Sequence, residues 1–271
     1  MKTQALEMNN GRTIPQIGFG LWQNRDRQEC IQSVKYALEA GYRHFDTAQV
    51  YDNEDFLGET LQKSDYKRDE LFITTKIWNT NQVSTIVIPS FEESLQKLQM
   101  KYVDLLLLHF PVTERRDGAW RKLEEIYADG KAKAIGVSNY TTRHLEEMKR
   151  FDVQPAVNQV EMSVVLQQPE LTKYCKANGI VLQAYTPLVE GKFFDDPTLK
   201  EIAKKHGKTV PQIMLRWCID YGVVALTKSV HEDRIAQNID IFDFKLDTGD
   251  MKKLKSMDRE YRVNWNPTNV P

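Results

Sequence analysis

Seven apolar runs in this chain stop on polar side chains. YRHFD ends on Asp46, LFITTK on Lys76, VDLLLLH on His109, AIGVSN on Ser138 and Asn139, AVNQ on Asn158 and Gln159, VLQAY on Tyr185, and VALTKS on Lys228 and Ser229. Aspartate, lysine, histidine and tyrosine are side chains that can move a proton and steady a developing oxyanion, provided they meet. Each alone has a plain structural use: His109 as a satisfied core histidine, Asp46 as a loop cap, Lys76 as a solvated chain end. Seven such endings do not share one plain explanation easily. The run Leu105 to Leu108 suits a strand covered on both faces, as in a parallel sheet wrapped by helices. In a closed parallel barrel all strand carboxyl ends emerge at one face, which is where barrels of this kind build their sites.

The elements that must position these residues follow from the alternation along the chain. ALEMNNGRTIPQIG reads as two short strands turning at Asn10-Gly11, a pair that tolerates the positive φ angles of a tight hairpin. Short apolar runs then alternate with amphipathic stretches about eight times. The first helical stretch opens with a capping box at Asp26 and Glu29 and closes at Gly41. Two helical stretches separate the runs at Tyr185 and Lys228, and one more follows Asp247. The expected fold is α/β, a (β/α)8 TIM-type barrel with an N-terminal β-hairpin and an extra C-terminal helix, in a single domain spanning residues 1–271. A doubly wound open sheet shows the same alternation. Against it, Gly18-Phe19-Gly20 lacks the third glycine of a dinucleotide-binding turn, and Gly207-Lys208-Thr209 has Ile202 where a P-loop needs glycine. No HExxH or Cys/His cluster has zinc spacing, so no metal is expected.

Composition narrows the function classes. The 271 residues are 41% hydrophobic and 28% charged, with 37 basic against 38 acidic side chains and a formal net charge of -1. That balance offers no long-range field for nucleic acid or an anionic membrane. Cys30, Cys175 and Cys218 are spread far apart, which argues for free thiols in a reducing compartment. The stretch MKTQALEMNNGRTIPQ has no apolar core of signal-peptide type, and the expected location is cytoplasmic.

At these residues the sequence resembles the aldo-keto reductase family. GYRHFDTAQVYDNE (41–54), LLLLHF with the following GKAKAIGVSNY, and LTKSVHEDRIAQN (226–238) are similar to its three signature regions, in order and spacing. The resemblance is strongest to the short bacterial 2,5-diketo-D-gluconate and methylglyoxal reductases. It implies a catalytic tetrad of Asp46, Tyr51, Lys76 and His109, with Tyr51 giving a proton to a carbonyl oxygen as hydride arrives from a cofactor. Free tyrosine titrates near about 10, a weak acid at neutral pH. An ammonium 4 Å away, worth roughly 4 kcal/mol at an effective dielectric of 20, is expected to lower it. Lys76 would supply that charge, Asp46 would hold Lys76, and His109 would orient the carbonyl.

The same resemblance implies NADPH/NADP+ as cofactor. Ser138, Asn139 and Gln159 would fix the carboxamide, Tyr185 would stack on the nicotinamide, and Leu188 would line the pyrophosphate path, where Glu190 is an unexpected charge. Lys228, Ser229, Val230 and Arg234 match a 2′-phosphate clamp that favours NADPH over NADH, with Gln237 and Asn238 near the adenine. Independently, Ser229 and Glu232 have capping-box spacing, and a helix starting at Ser229 would offer its N-terminus to phosphate. Trp22, Trp78, Phe110 and, in a tail with Arg262, Trp265 would wall the substrate pocket. The expected partner is a small carbonyl compound, with no nucleic acid, no membrane and a monomeric state. Two other functions suit such a barrel: a non-catalytic NADP(H) sensor, and a phosphate-handling isomerase or lyase that would leave Tyr51 idle.

Overall fold

A computed structural model describes residues 4–271; the first three residues of the segment read above for a leader lie outside it. Strands β1 (Ala5–Glu7) and β2 (Thr13–Pro15) form an antiparallel hairpin. There follow β3 (Ile17–Gly20), α1 (Arg27–Ala40), β4 (His44–Asp46), α2 (Glu54–Gln62), β5 (Phe72–Ile77), α3 (Ser84–Leu98), β6 (Leu105–Leu108) and α4 (Arg116–Ala128). Next come β7 (Ile135–Ser138), α5 (Thr142–Met148), β8 (Val157–Glu161), α6 (Pro169–Ala177) and β9 (Val181–Tyr185). Helices α7 (Pro197–His206) and α8 (Val210–Asp220) precede β10 (Val224–Thr227), and α9 (Glu232–Ile239) and α10 (Thr248–Lys255) complete the chain. Strands β3 to β10 close a parallel barrel in which β10 returns to pair with β3. The expected barrel, its hairpin and its extra C-terminal helix are all present.

The leucine run shows how the barrel is filled. All four side chains are fully buried, and the period of two sends them to opposite faces. Leu106 and Leu108 join the layer between sheet and helices, with Phe91, Trp120 and Leu123. Leu105 and Leu107 join a separate cluster with Phe72, Val157, Val181 and Val224, drawn from strands around the barrel and closed by Met8 and Ile14 of the hairpin. That cluster is the floor of the lumen. Stepping upward by two residues from it leads to Lys76 on β5, His109 just past β6, Gln159 on β8, and Gln183 and Tyr185 on β9. The lumen is therefore apolar at its hairpin end and polar at its mouth.

Local signals hold in most places and shift in three. Asp26 caps α1 by accepting from the Glu29 amide at 2.8 Å, and Gly41 ends it in the left-handed region. At the hairpin only Gly11 has positive φ (76°), because five residues rather than two connect the strands, with the Gly11 amide bonded back to Met8. Strand β8 runs two residues past Gln159, to Glu161, which pairs with Tyr185 of β9. Helix α9 starts at Glu232 with His231 at its N-cap, so Ser229 does not cap it; the Ser229 hydroxyl instead accepts from the His231 amide at 3.1 Å, a local turn.

All three cysteines are free and buried, and burial first of all pushes each thiol up to about 12. A thiol-reactive chromogenic disulfide is therefore expected to label none of Cys30, Cys175 and Cys218 in the native protein and all of them in denaturant. Labelling of a native thiol at pH 8 would contradict this packing.

Candidate active site

The site is built around one buried ammonium. Lys76, fully buried, donates to Asp46 Oδ1 at 2.5 Å, to the Thr47 carbonyl at 2.9 Å and to Tyr51 Oη at 3.3 Å. Asp46 lies at the end of β4 and Lys76 one residue before the end of β5, two strands in register. Tyr51 comes from a single turn of 3-10 helix, Gln49–Tyr51, directly after β4. That turn is pinned by Gln49, whose amide oxygen accepts from the Trp78 and Asn81 nitrogens and whose amide group donates to Ser90 O. The Tyr51 ring then stands edge-on to His109, with centroids 5.7 Å apart. The four residues expected to act together do meet.

Burial raises Asp46 and lowers Lys76, while their mutual attraction and hydrogen bonds oppose both changes. With three acceptors on the ammonium and Gln159 Nε2 donating to the other carboxylate oxygen at 2.8 Å, the pair is held charged. Tyr51 differs from expectation. Burial, and then the charge of Asp46, raise its hydroxyl well above the usual tyrosine value. Desolvation comes first and the carboxylate of Asp46 second, and together they outweigh the help of the Lys76 ammonium 3.3 Å away. His109 is neutral at physiological pH, since burial and then Lys76 depress it well below the usual histidine value. Its Nδ1 is buried without a partner, so Nε2 is the nitrogen that faces the cavity.

A cavity of about 650 Å³ opens over this cluster at the barrel mouth. Trp22, Trp78, Phe110 and Trp265 all line it, and among the described residues Lys228 is the one cation on its walls. Trp22 packs on Tyr51 (4.9 Å), Trp78 on His109 (5.1 Å), and Trp265 on Phe110 (4.1 Å). Ser138, Asn139, Gln159, Tyr185 and Leu188 form the opposite wall. Tyr185 donates to Asn139 Oδ1 at 2.7 Å, and Asn139 donates to the carbonyl of His109 at 3.1 Å, so the ring is fixed to the histidine's own backbone. Gln159 uses both amide hydrogens, on Asp46 and on Gln183 at 2.7 Å, which leaves only its carbonyl oxygen to offer a ligand.

Beyond the rim, Lys228 and Arg234 are exposed and make no ion pair among the described residues, whereas Lys205, Lys208 and Arg216 nearby each hold a carboxylate. Ser229 lies between them, buried, with Val230 next to it. Gln237 and Asn238 lie on α9; Asn238 is buried, and Gln237 bonds Thr209 at 3.3 Å. These residues lie outside the cavity lining, apart from Lys228. Glu190 does line it, but pairs with Lys192 at 3.2 Å, which offsets its repulsion of an anion. Sequence reading missed Gln183, Val50, Asn79 and Asn264. Only Gln183 carried a signal, as a polar side chain at the alternate position before Tyr185.

Among the described residues no group of three or more His, Cys, Asp or Glu is placed to hold a metal. Among the described residues no helix is long and apolar enough to cross a membrane. Residues 16–259 match the model of the aldo/keto reductase family. The chain belongs to that family. It is similar to the glyoxal reductase of Bacillus subtilis, 44% identical over 264 residues that cover 97% of this chain and 96% of the relative. It is 36% identical to the methylglyoxal reductase DkgA of Escherichia coli K12, over 97% and 96% of the two chains. Among solved structures, an aldo-keto reductase from a deep-sea metagenome library superposes with a TM-score of 0.95 at 40% identity, covering 98% and 99%. An aldo-keto reductase of Bombyx mori in complex with NADP gives 0.91 at 34%, covering 97% and 95%.

The buried pair has a measurable consequence for this reductase fold. Lys76→Met leaves Asp46 charged and uncompensated and should cost about 3–5 kcal/mol of stability. Asp46→Asn with Lys76→Met should recover most of that loss in urea unfolding. A double variant as unstable as the single would show that packing around Lys76, not its charge, holds the site.

Proposed function

We propose that the protein reduces aldehyde and ketone carbonyls to alcohols with NADPH, small dicarbonyls such as methylglyoxal among them, with Tyr51 as the proton donor. The observation that carries this reading is the hydroxyl of Tyr51, 3.3 Å from the Lys76 ammonium, on a ring that stands edge-on to His109 in the lining of the cavity. Tyr51 is protonated at neutral pH, and since burial and Asp46 make it a weaker acid, proton transfer depends on the Lys76 ammonium to receive the developing phenolate charge. Neutral His109 offers Nε2 to a carbonyl oxygen without competing as a second acid, and so orients it. As the oxygen takes the Tyr51 proton, Lys76 stabilises the phenolate left behind, held in reach by Asp46 and Thr47.

The residues present fit a nicotinamide dinucleotide. Gln159 Oε1 and the Ser138–Asn139 pair suit a carboxamide, the fixed Tyr185 suits a flat ring, and unpaired Lys228 and Arg234 around Ser229 suit a phosphate. When bound, the reduced cofactor supplies hydride to the carbonyl carbon. The complex of the Bombyx mori relative with NADP supports this choice. Four aromatic rings line the cavity, and the one cation lining it among the described residues, Lys228, is given to the cofactor phosphate, which favours an uncharged dicarbonyl over a diketo sugar acid.

Two measurements test the reading. NADPH oxidation with methylglyoxal should fall about a hundredfold or more in Tyr51→Phe, with NADPH binding kept. Equal rates in both proteins would overturn Tyr51 as donor, and tight NADPH binding without any oxidation by wild type would favour a sensor. Arg234→Ala should weaken NADPH about tenfold, the loss of one charged hydrogen bond to phosphate, and leave NADH unaffected. Equal weakening of both cofactors would remove Arg234 from the 2′-phosphate.

A further inference from the structure

Glu161, the last residue of β8, is 3% exposed, and no lysine or arginine pairs with it among the described residues. A buried carboxylate without a cation needs hydrogen bonds to offset its lost hydration. Its two oxygens find them on the C-terminal tail: Oε1 accepts from the Val263 amide at 2.5 Å and Oε2 from the Asn264 amide at 3.0 Å. The Asn264 side chain adds a bond to Thr186 Oγ1 at 3.0 Å, just past β9. The far end of the tail is fixed on the other side of the mouth. There the Val270 carbonyl accepts from Arg143 and His144, and the Pro271 carbonyl from Thr113 and Arg116.

Between these two anchors lies Trp265. It is 54% exposed, lines the cavity and packs against Phe110, the residue after His109. A ring so exposed has little burial to hold it; its place depends on the chain it hangs from. That chain is tied at the immediately preceding residues, Val263 and Asn264.

We propose that Glu161 is a positioning residue for substrate selectivity: its carboxylate latches the tail so that Trp265 stands as a wall of the substrate site. Glu161 itself touches no reacting group. The inference rests on the reading of the cavity as a carbonyl-reduction site. It adds that a carbonyl compound bearing a ring is recognised through a side chain whose position is set at β8.

The test compares wild type, Glu161→Gln, Trp265→Ala and the double variant with phenylglyoxal and methylglyoxal. Glutamine keeps one oxygen but turns an amide group toward a backbone N–H, breaking one of the two latch bonds. Glu161→Gln should raise KM for phenylglyoxal about five- to tenfold, the worth of one aromatic contact, with kcat for phenylglyoxal moved by less than about twofold. The shift should be smaller for methylglyoxal, which has no ring to place on Trp265. The double variant should be no worse than Trp265→Ala, because both changes remove the same contact. Trypsin should cut after Arg262 faster in Glu161→Gln than in wild type. Independent, multiplying penalties would overturn the proposal, as would an unchanged KM, or a loss of NADPH affinity read by fluorescence quenching. If wild type reduces neither compound, the carbonyl-reductase reading fails by itself. The latch is then judged by trypsin, and an unchanged cleavage rate would sink it.

Discussion

A lysine with no solvent contact sits inside this barrel, and the arrangement of the mouth follows from what its ammonium needs. Taking such a charge out of water costs roughly several kcal/mol even after relaxation. The cost is offset only if every hydrogen finds an acceptor and a counter-charge lies close. Asp46, the Thr47 carbonyl and the Tyr51 hydroxyl meet that demand together. The requirement fixes β4 against β5, and it fixes the 3-10 turn after β4. Tyr51 is thereby placed as much by the lysine's geometry as by its own packing.

The demand propagates down the lumen. Asp46 keeps its charge partly through Gln159, whose second amide hydrogen goes to Gln183. The Gln183 amide in turn faces His44 Nε2 at 3.3 Å, and Thr74 reaches the same nitrogen at 3.2 Å. Burial lowers His44 to about 3, so that nitrogen is free to accept. Donation runs outward from Gln159, to Asp46 on one side and through Gln183 to His44 on the other, and leaves the Gln159 oxygen free for the cavity. Reversing any amide would set two donors or two acceptors against each other in a place water does not reach. Below this chain the apolar floor of Leu105, Leu107 and Val157 begins, where no polar demand exists.

The barrel was legible in sequence because period and punctuation agreed: apolar runs alternated with capped amphipathic stretches, and the runs ended alike. The grouping of Asp46, Tyr51, Lys76 and His109 was legible because they stand on strand ends or one turn away, where sequence position nearly equals spatial position. What sequence hid was three-dimensional. Ser229 and Glu232 have capping-box spacing, yet the serine closes a local turn and α9 begins later, since that spacing does not say which residue first turns helical. The expected lowering of Tyr51 treated Lys76 as a lone charge; its bond to Asp46 makes it one half of a dipole. Nothing in the sequence singles out Glu161, because its partners are backbone amides 102 and 103 residues away.

The rim is built on a different principle from the base. At the base, strands in register hold Asp46, Lys76 and Gln159 with little freedom. At the rim, the segment after β9 takes left-handed backbone at Thr186, Val189 and Glu190, with φ near +50°. For a β-branched valine that conformation is strained, and Val189 is kept in it with its side chain 1% exposed in the core. The tail opposite is held by amide-to-carboxylate bonds rather than by a sheet. Rim segments secured at discrete points can be re-aimed by a single change without disturbing the ion pair beneath. On the proposed function, the fold separates what proton transfer would require, the environment of one ammonium, from what could differ between substrates, the position of a ring such as Trp265.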